Sequence, residues 1–420
     1  MPTGAEAQVA AVELERVEPK VGILFERDDT FFSQIEKRPV EIISPRDMRI
    51  PLELRPGGKP GHFNSDGGDL GRGDLPTYDK AVVNTVNLKY GMEWTTKRKW
   101  ATDNSRKAVL NTMKRDLASA MKSFRRYVDS LCMTSGNGVL GTISVVASAG
   151  GVDTYTLGTD GFGARLLQYG WNIQVWDTNL AVCRTAADGS GTPITFIDYP
   201  NKQIKVAAVA GAVATDKIVA EGLTAVPPVS LLGVPYHHTN ASTGTWLGFD
   251  RSTTPEIRAN GVTASGTLTL PMPRLAINKI GDRVGINQRK RLKAWMHPCQ
   301  KQAYEELGFE VIRINKSAKE EGLDLYFNDN MSIAGAPLSI SYSWDKKRID
   351  FVDLDIWGRA EFHPPGFYRD ENGNRYFIVR GTSGGVATSN LAYLVASFNL
   401  YMNNPSAAAY IDALTVPSGY

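Results

Sequence analysis

Few residues of this 420-residue sequence stand at spacings that could support chemistry. His237 and His238 are candidates for a metal site, but adjacent side chains seldom bind one ion together, and no acidic or cysteine ligand follows closely in the sequence. Cys132 is predicted near a helix C-terminus, where the helix dipole disfavours a reactive thiolate. We therefore expect structural roles for all three residues.

Sequence motifs of catalysis and nucleotide binding are missing. There is no glycine loop followed by Lys-Ser or Lys-Thr, and no Gly-x-Ser-x-Gly elbow. Arg72-Gly73-Asp74 matches an integrin-binding tripeptide, but three residues in a glycine-rich loop are weak evidence. The basic cluster 289–293 lacks the interleaved aromatic residues of a single-strand nucleic-acid binder. We predict no catalytic, metal-binding or cofactor-binding residues, and no enzyme activity.

Composition places the chain among ordinary folded proteins. Hydrophobic residues make up 42% of the sequence and charged residues 22%, with a net charge of +3. Three widely spaced cysteines offer no disulfide framework and indicate a reducing compartment. No signal peptide or transmembrane segment is apparent, so we expect a soluble protein made in a cytoplasm. The length predicts two or three substructures.

Two segments near the start of the chain alternate strictly between apolar and polar residues, the pattern of strands with one covered face. The apolar faces are Met48, Ile50, Leu52 and Leu54 in one segment, and Val86, Leu88, Tyr90, Met92 and Trp94 in the other. Residues 56–77, which lie between them, contain seven glycines and three prolines. The sequence predicts a hairpin with a polar tip. Because a two-stranded ribbon is marginal by itself, we expect a neighbouring subunit to cover its apolar stripe.

A basic amphipathic helix of about eight turns is predicted from Asp103 to about Met133. Its apolar residues recur at spacings of three and four, so they form one buried stripe. The core positions are Leu110, Met113, Leu117, Met121, Phe124 and Val128, followed by Leu131. Gly136 and Gly138 end the helix.

Charge changes sign between the start of the chain and this helix. Residues 1–50 carry ten acidic side chains against seven basic ones, whereas lysine and arginine dominate the helix. This asymmetry predicts complementary packing, within or between subunits. The candidate assembly contacts are Arg55, Lys59, Arg72, Asp74, Arg98, Lys99, Arg125 and Arg126. Arg125 and Arg126 lie off the apolar stripe, so we expect them to be either solvated or paired with the acidic arm.

The rest of the sequence mixes strands and helices. Short strands separated by turns predict a β-rich insertion over 139–235. Helical segments at 274–284 and 298–307 then alternate with strands, and a turn at 371–374 leads into a long strand at 393–402. Because no regular βαβ repeat is present, the predicted fold class is α+β.

The order of these parts resembles that of the major capsid proteins of tailed bacteriophages. Several short stretches are also similar to that family in sequence. They are Leu-Gly-Phe-Asp-Arg-Ser at 247–252, Met-His-Pro at 296–298, Trp-Asp-Lys-Lys-Arg-Ile-Asp at 344–350, and the closing residues 398–405. The resemblance covers nearly the whole chain and rests on the order of the parts.

The resemblance implies the tailed-phage major capsid fold with a β-rich inserted domain. The implied parts are an N-terminal arm (1–47), an E-loop hairpin (48–100), the spine helix of the P-domain (101–138), the β-rich insertion (139–235), a connection between P-domain and A-domain (236–289), the A-domain (290–360), and P-domain strands with the C-terminus (361–420).

The resemblance also implies a function. The chain would be a structural subunit that self-assembles into hexamers and pentamers, forming an icosahedral phage head around double-stranded DNA. It would be made in the host bacterial cytoplasm and reside in the virion. Its implied partners are further copies of itself, a separate scaffolding protein, a portal protein, a decoration protein and packaged DNA bound without sequence specificity. No cofactor and no membrane are implied.

Three alternatives stay open on the sequence. An encapsulin-like compartment shell would share the fold. A cell-binding adhesin would act through Arg72-Gly73-Asp74, but would need a secretion signal. An uncharacterised enzyme would need a cluster of polar residues that the sequence does not show.

Overall fold

The computed structural model describes residues 31–35, 47–62, 72–95, 106–158, 161–186, 188–285, 291–315, 332–371, 373–375, 377–380 and 386–418. The chain divides into two compact units. The first unit comprises Met1–Glu36, Val86–Gly233 and Glu361–Asn399, and the second comprises Lys37–Thr85, Val234–Ala360 and Leu400–Tyr420. Both units combine helices and strands, so the predicted α+β class is confirmed.

The described residues form the following elements. The helices are α1 (Phe31–Gln34), α2 (Arg106–Cys132), α3 (Val234–His237), α4 (Pro271–Val284) and α5 (Pro298–Asn315). The strands are β1 (Asp47–Arg55), β2 (Thr77–Asn84), β3 (Val86–Thr95), β4 (Val139–Ala149), β5 (Val152–Leu157), β6 (Asn172–Trp176), β7 (Thr192–Pro193), β8 (Phe196–Asp198), β9 (Gln203–Ala207), β10 (Lys217–Ala220), β11 (Thr245–Trp246), β12 (Phe249–Asp250), β13 (Asn260–Gly266), β14 (Leu292–Met296), β15 (Ser332–Ile333), β16 (Ala336–Ile340), β17 (Ile349–Asp353), β18 (Trp357–Phe367), β19 (Phe377–Arg380), β20 (Val386–Met402) and β21 (Ala409–Leu414).

The long helix α2 organises the first unit. Its stripe residues Met121, Phe124 and Val128 are buried, and the Phe124 ring lies 6.2 Å from that of Tyr90 on β3. The predicted stripe positions Leu110, Met113 and Leu117 lie on α2, in a stretch whose side chains fall outside the described part of the structure. The helix therefore packs its apolar face on the sheet that contains β3.

The predicted pairing of the two alternating segments is wrong. β1 pairs antiparallel with β2, from Asp47 opposite Asn84 to Arg55 opposite Thr77. β3 pairs instead with β20, in the first unit. Alternation indicates that a segment is a strand with one covered face, but it does not identify the strand beside it. Residues 77–84 lie closer in sequence to β1, and pairing with them shortens the connecting loop to 56–76.

The insertion in the first unit contains a seven-stranded sheet in the order β7-β6-β10-β4-β5-β9-β8. It contacts α2 through an edge-to-face contact between Trp171 and Tyr127, with ring centroids 5.3 Å apart. Where the chain leaves the insertion, Gly233 passes so close to the end of α2 that a Cβ atom there would collide with the Cys132 carbonyl oxygen. The exit from the insertion is thereby fixed against the helix.

A six-stranded sheet, in the order β13-β21-β17-β14-β16-β15, forms the centre of the second unit. Helix α4 packs on β13 and β21 and contributes Ala276, Ile277 and Ile280 to the core. Pro271 opens this helix, and Gly285 follows it with a φ of 98°. These residues agree with the usual preference for proline at the start of a helix and glycine after its end.

Candidate functional site

The hairpin of β1 and β2 is buried at its base and exposed towards its tip. At the base, Met48, Ala81 and Val83 are buried, and the Val82 N–H donates to the Leu247 carbonyl oxygen at 3.0 Å. Towards the tip, Tyr78 is 66% exposed and Leu75 is 85% exposed. Large apolar side chains at this exposure are candidates for a contact with another molecule.

The loop at the hairpin tip is held by a few local contacts. The Gly58 N–H donates to the Asp74 carbonyl oxygen at 3.0 Å, and the Leu75 N–H donates to Asp74 Oδ1 at 3.1 Å. Lys59 Nζ lies 4.0 Å from Asp74 Oδ2, with both side chains about two-thirds exposed (67% and 66%). A surface pair of this kind stabilises little by itself, so these charges remain available to a partner.

The structure locates most of the other candidate assembly contacts. Arg55 and Arg72 are exposed in the hairpin. Arg98 and Lys99 fall outside the described residues. Arg125 is 6% exposed, so the expectation of a solvated side chain is wrong for this residue. Burial lowers the pKa of Arg125, and Asp129 of the same helix opposes that shift.

Arg126 is exposed and reaches the insertion. Its Nη2 lies 3.4 Å from the Arg165 carbonyl oxygen and 3.4 Å from the Tyr199 hydroxyl. The guanidinium also lies over the Tyr199 ring, 5.9 Å from its centroid. A face of the helix that is polar in sequence therefore supports contacts to the inserted sheet within the same unit.

A buried polar network in the second unit was not foreseen from the sequence. The Asp350 carboxylate accepts hydrogen bonds from Arg348 Nε at 2.9 and 3.0 Å, Arg348 Nη2 at 2.8 Å and Trp344 Nε1 at 3.0 Å. His238 Nδ1 lies 3.0 Å from the same carboxylate, and the Arg348 guanidinium stacks on the Tyr410 ring at 4.3 Å. Trp344, Arg348 and Asp350 all belong to the 344–350 stretch that contributed to the family resemblance.

The electrostatics of this network indicate a fixed ion pair. Burial alone would raise the pKa of Asp350, but Arg348 and His238 hold it at about 2. Burial lowers the pKa of His237 to about 3, and its Nδ1 accepts from Trp246 Nε1 at 3.0 Å. Both histidines are thus buried hydrogen-bonding residues of the core. In the described ranges, no three His, Cys, Asp or Glu side chains come together as metal ligands.

The first unit also has an open groove of about 1300 Å³. Phe362 and Tyr368, which line it, are 45% and 47% exposed. Gly91 and Tyr393 also line the groove, and a Cβ atom at Gly91 would approach the Tyr393 ring to 3.2 Å. The groove is therefore a second surface with exposed aromatic side chains.

Comparison with solved structures identifies the fold. The structure is similar to the capsid asymmetric unit of cyanophage A-1(L), with a TM-score of 0.51, 12% sequence identity, and coverage of 91% of this chain and 90% of that chain. The chain has a phage capsid fold.

Two further capsid structures align over most of the chain at lower similarity. The capsid of the native GTA particle gives a TM-score of 0.44 at 12% identity, covering 93% of this chain and 91% of that one. The capsid of Myoviridae phage XM1 gives 0.44 at 8% identity, covering 91% of each chain. No protein-family model matches the sequence, and a search of curated proteins finds no similar sequence. Among the described residues, no helix of the capsid fold is long and apolar enough to cross a membrane.

Proposed function

We propose that this chain is the major structural subunit of a phage head, which assembles into hexamers and pentamers around double-stranded DNA. The observation that carries the proposal is the capsid fold, which extends over 91% of the chain in the alignment with the cyanophage A-1(L) capsid asymmetric unit. The hairpin adds support, because it carries Leu75 and Tyr78 exposed in the single subunit.

The free energy of each hairpin contact suits reversible assembly into a shell. Burying a large apolar side chain contributes about 1.5–3 kcal/mol, which is too little for a stable pair of subunits once the entropy of association is subtracted. Repeated around closed symmetry, the same weak contact yields a stable shell while each contact stays reversible. We place Arg55, Lys59, Arg72 and Asp74 among the polar contacts around this apolar centre.

The family parts transfer to the chain as part of this proposal. The spine helix corresponds to α2, the E-loop to the β1–β2 hairpin, and the A-domain to part of the second unit. The proposed partners are other copies of the chain, a separate scaffolding protein, a portal protein, a decoration protein and packaged DNA. The proposed location is the virion, after synthesis in the host bacterial cytoplasm.

The alternatives have less support. An encapsulin-like compartment shell would also need the exposed hairpin, and its contents, an enzyme rather than DNA, would distinguish it. An adhesin would rest on the Arg72-Gly73-Asp74 tripeptide alone, whereas the capsid fold extends over 91% of the chain.

The hairpin contact can be tested by replacing Leu75 and Tyr78 together with serine. Because both side chains are exposed in the subunit, circular dichroism and the thermal midpoint should stay at wild-type values. Loss of two apolar contacts per subunit should lower the yield of shells about tenfold or more, measured by sedimentation. Val182→Ser, at a position 57% exposed on the insertion, is the matched control and should assemble normally. Wild-type shell yield from the double variant, or loss of its fold, would contradict the proposed role of the hairpin.

A further inference from the structure

Asp129 is a buried carboxyl on α2 that contacts the short helix α1. The residue is 7% exposed, and its carboxyl accepts a hydrogen bond from the backbone N–H of Phe32 in α1. The N–H groups of a first helical turn have no partner within their own helix. Asp129 therefore satisfies one such group and joins α1 to α2.

Apolar contacts hold the same segment. Phe31, Phe32 and Ile35 are all buried, and the Phe32 ring lies 4.9 Å from the Phe398 ring. The segment Phe31–Ile35, which we call the arm segment, is thus packed in the first unit by side chains that carry no charge. Asp129 adds an ionisable group in contact with it.

One oxygen of this carboxyl is poorly accommodated. Asp129 Oδ1 is buried and has no hydrogen-bond partner in the described part of the structure. An ionised carboxylate in such surroundings is costly, because burial removes hydration that a single partnered oxygen does not replace. A neutral carboxyl loses most of that cost and can still accept from the Phe32 N–H.

Within the described residues, few charged groups lie on the elements that surround Asp129. On α2, Arg125 lies one turn earlier and is also buried. The arm segment has no ionisable side chain. On β3, Tyr90 faces α2, whereas Lys89 and Glu93 are exposed on the alternate positions. On β20, the residues from Leu394 to Asn399 carry no charge, and neither do those of β4.

Together, these effects make Asp129 keep its proton to a higher pH than an exposed aspartate does. Burial raises the pKa of Asp129 to about 7, because the hydrogen bond from the Phe32 N–H and the charge of Arg125 offset only part of the desolvation. The pKa of the Asp129 carboxyl is higher when the arm segment is packed on α2 than when the segment is released. The packed state therefore binds more protons than the released state. Packing of the arm segment should therefore strengthen as pH falls below about 7 and weaken as pH rises through that value.

We propose that Asp129 is a protonation-controlled latch, which holds the arm segment on α2 when neutral and loosens it when ionised. The proposal concerns one chain and does not depend on the proposed capsid function. It assigns to pH a direct effect on how firmly the arm segment is held on α2.

Hydrogen exchange of the arm-segment amides tests this latch. Protection should be measured in the full chain from pH 5.5 to 8.5 and corrected for the intrinsic pH dependence of exchange. In the wild type, protection should fall about tenfold between pH 6 and pH 8 and level off above pH 8. Protection that is independent of pH, or that increases with pH, would overturn the proposal without any variant.

Two variants separate the carboxyl from general effects of pH. Asp129→Asn retains a carbonyl that can accept from the Phe32 N–H and cannot ionise, so its protection should be high and flat across the series. Asp188→Asn removes an exposed carboxyl in the insertion and should keep the wild-type profile. A tenfold fall in Asp129→Asn, or loss of its protection at every pH, would show that the charge of Asp129 does not act as a latch.

Discussion

Replacing Asp350 with alanine is expected to lower the free energy of unfolding of the second unit by about 3–5 kcal/mol, because removing one partner of a buried ion pair leaves the other charge uncompensated. Arg348 would lose its carboxylate while remaining beneath the Tyr410 ring. Trp344 Nε1 and His238 Nδ1 would lose their partner as well. The variant should unfold earlier and accumulate less as soluble protein.

Urea unfolding followed by tryptophan fluorescence measures this effect, since Trp344 is buried and belongs to the network. Asp355→Ala is the matched control, because Asp355 forms an exposed ion pair with Arg291 at 3.5 Å. That pair should contribute less than about 1 kcal/mol. Equal unfolding midpoints for the two variants would show that the Asp350 network does not stabilise the unit.

The second large effect is expected for Phe124→Ala in helix α2. Phe124 is fully buried, and truncating a buried phenylalanine to alanine costs about 3–5 kcal/mol through lost transfer energy and the cavity that remains. The subunit should fold poorly, and its fraction in assembled shells should fall in proportion.

Ser119→Ala on an exposed position of the same helix controls for changes in helix propensity, and should differ from wild type by less than about 0.5 kcal/mol. Thermal unfolding and sedimentation of both variants would compare folding with assembly. A Phe124→Ala subunit with wild-type stability would show that α2 does not pack through its apolar stripe.

Local patterns could be predicted from the sequence because their causes are local. A period of two predicted β1 and β3, and spacings of three and four predicted the long helix, since both follow from backbone geometry. The pairing of β3 with β20 could not be predicted in this way, because some 300 residues separate them and alternation is the same for every partner. The fold class was therefore correct while one strand pairing was not.

The polar contacts could not be predicted from the sequence, because their partners meet only after folding. Arg125 was expected to be either solvated or paired with the acidic arm, because it lies off the apolar stripe, yet its side chain is buried in the first unit. Asp350 is distant in sequence from His238 and Tyr410, and only packing brings them together. The adjacent histidines and the 344–350 stretch were the signals available, and neither specified a partner.

Electron microscopy of the purified full chain, produced alone and together with the proposed scaffolding protein, is the most direct test of the proposed capsid function. A shell subunit should yield closed particles tens of nanometres across, and on its own should yield capsomers, irregular shells or aggregates. A stable, monodisperse monomer under both conditions would contradict the proposed capsid function.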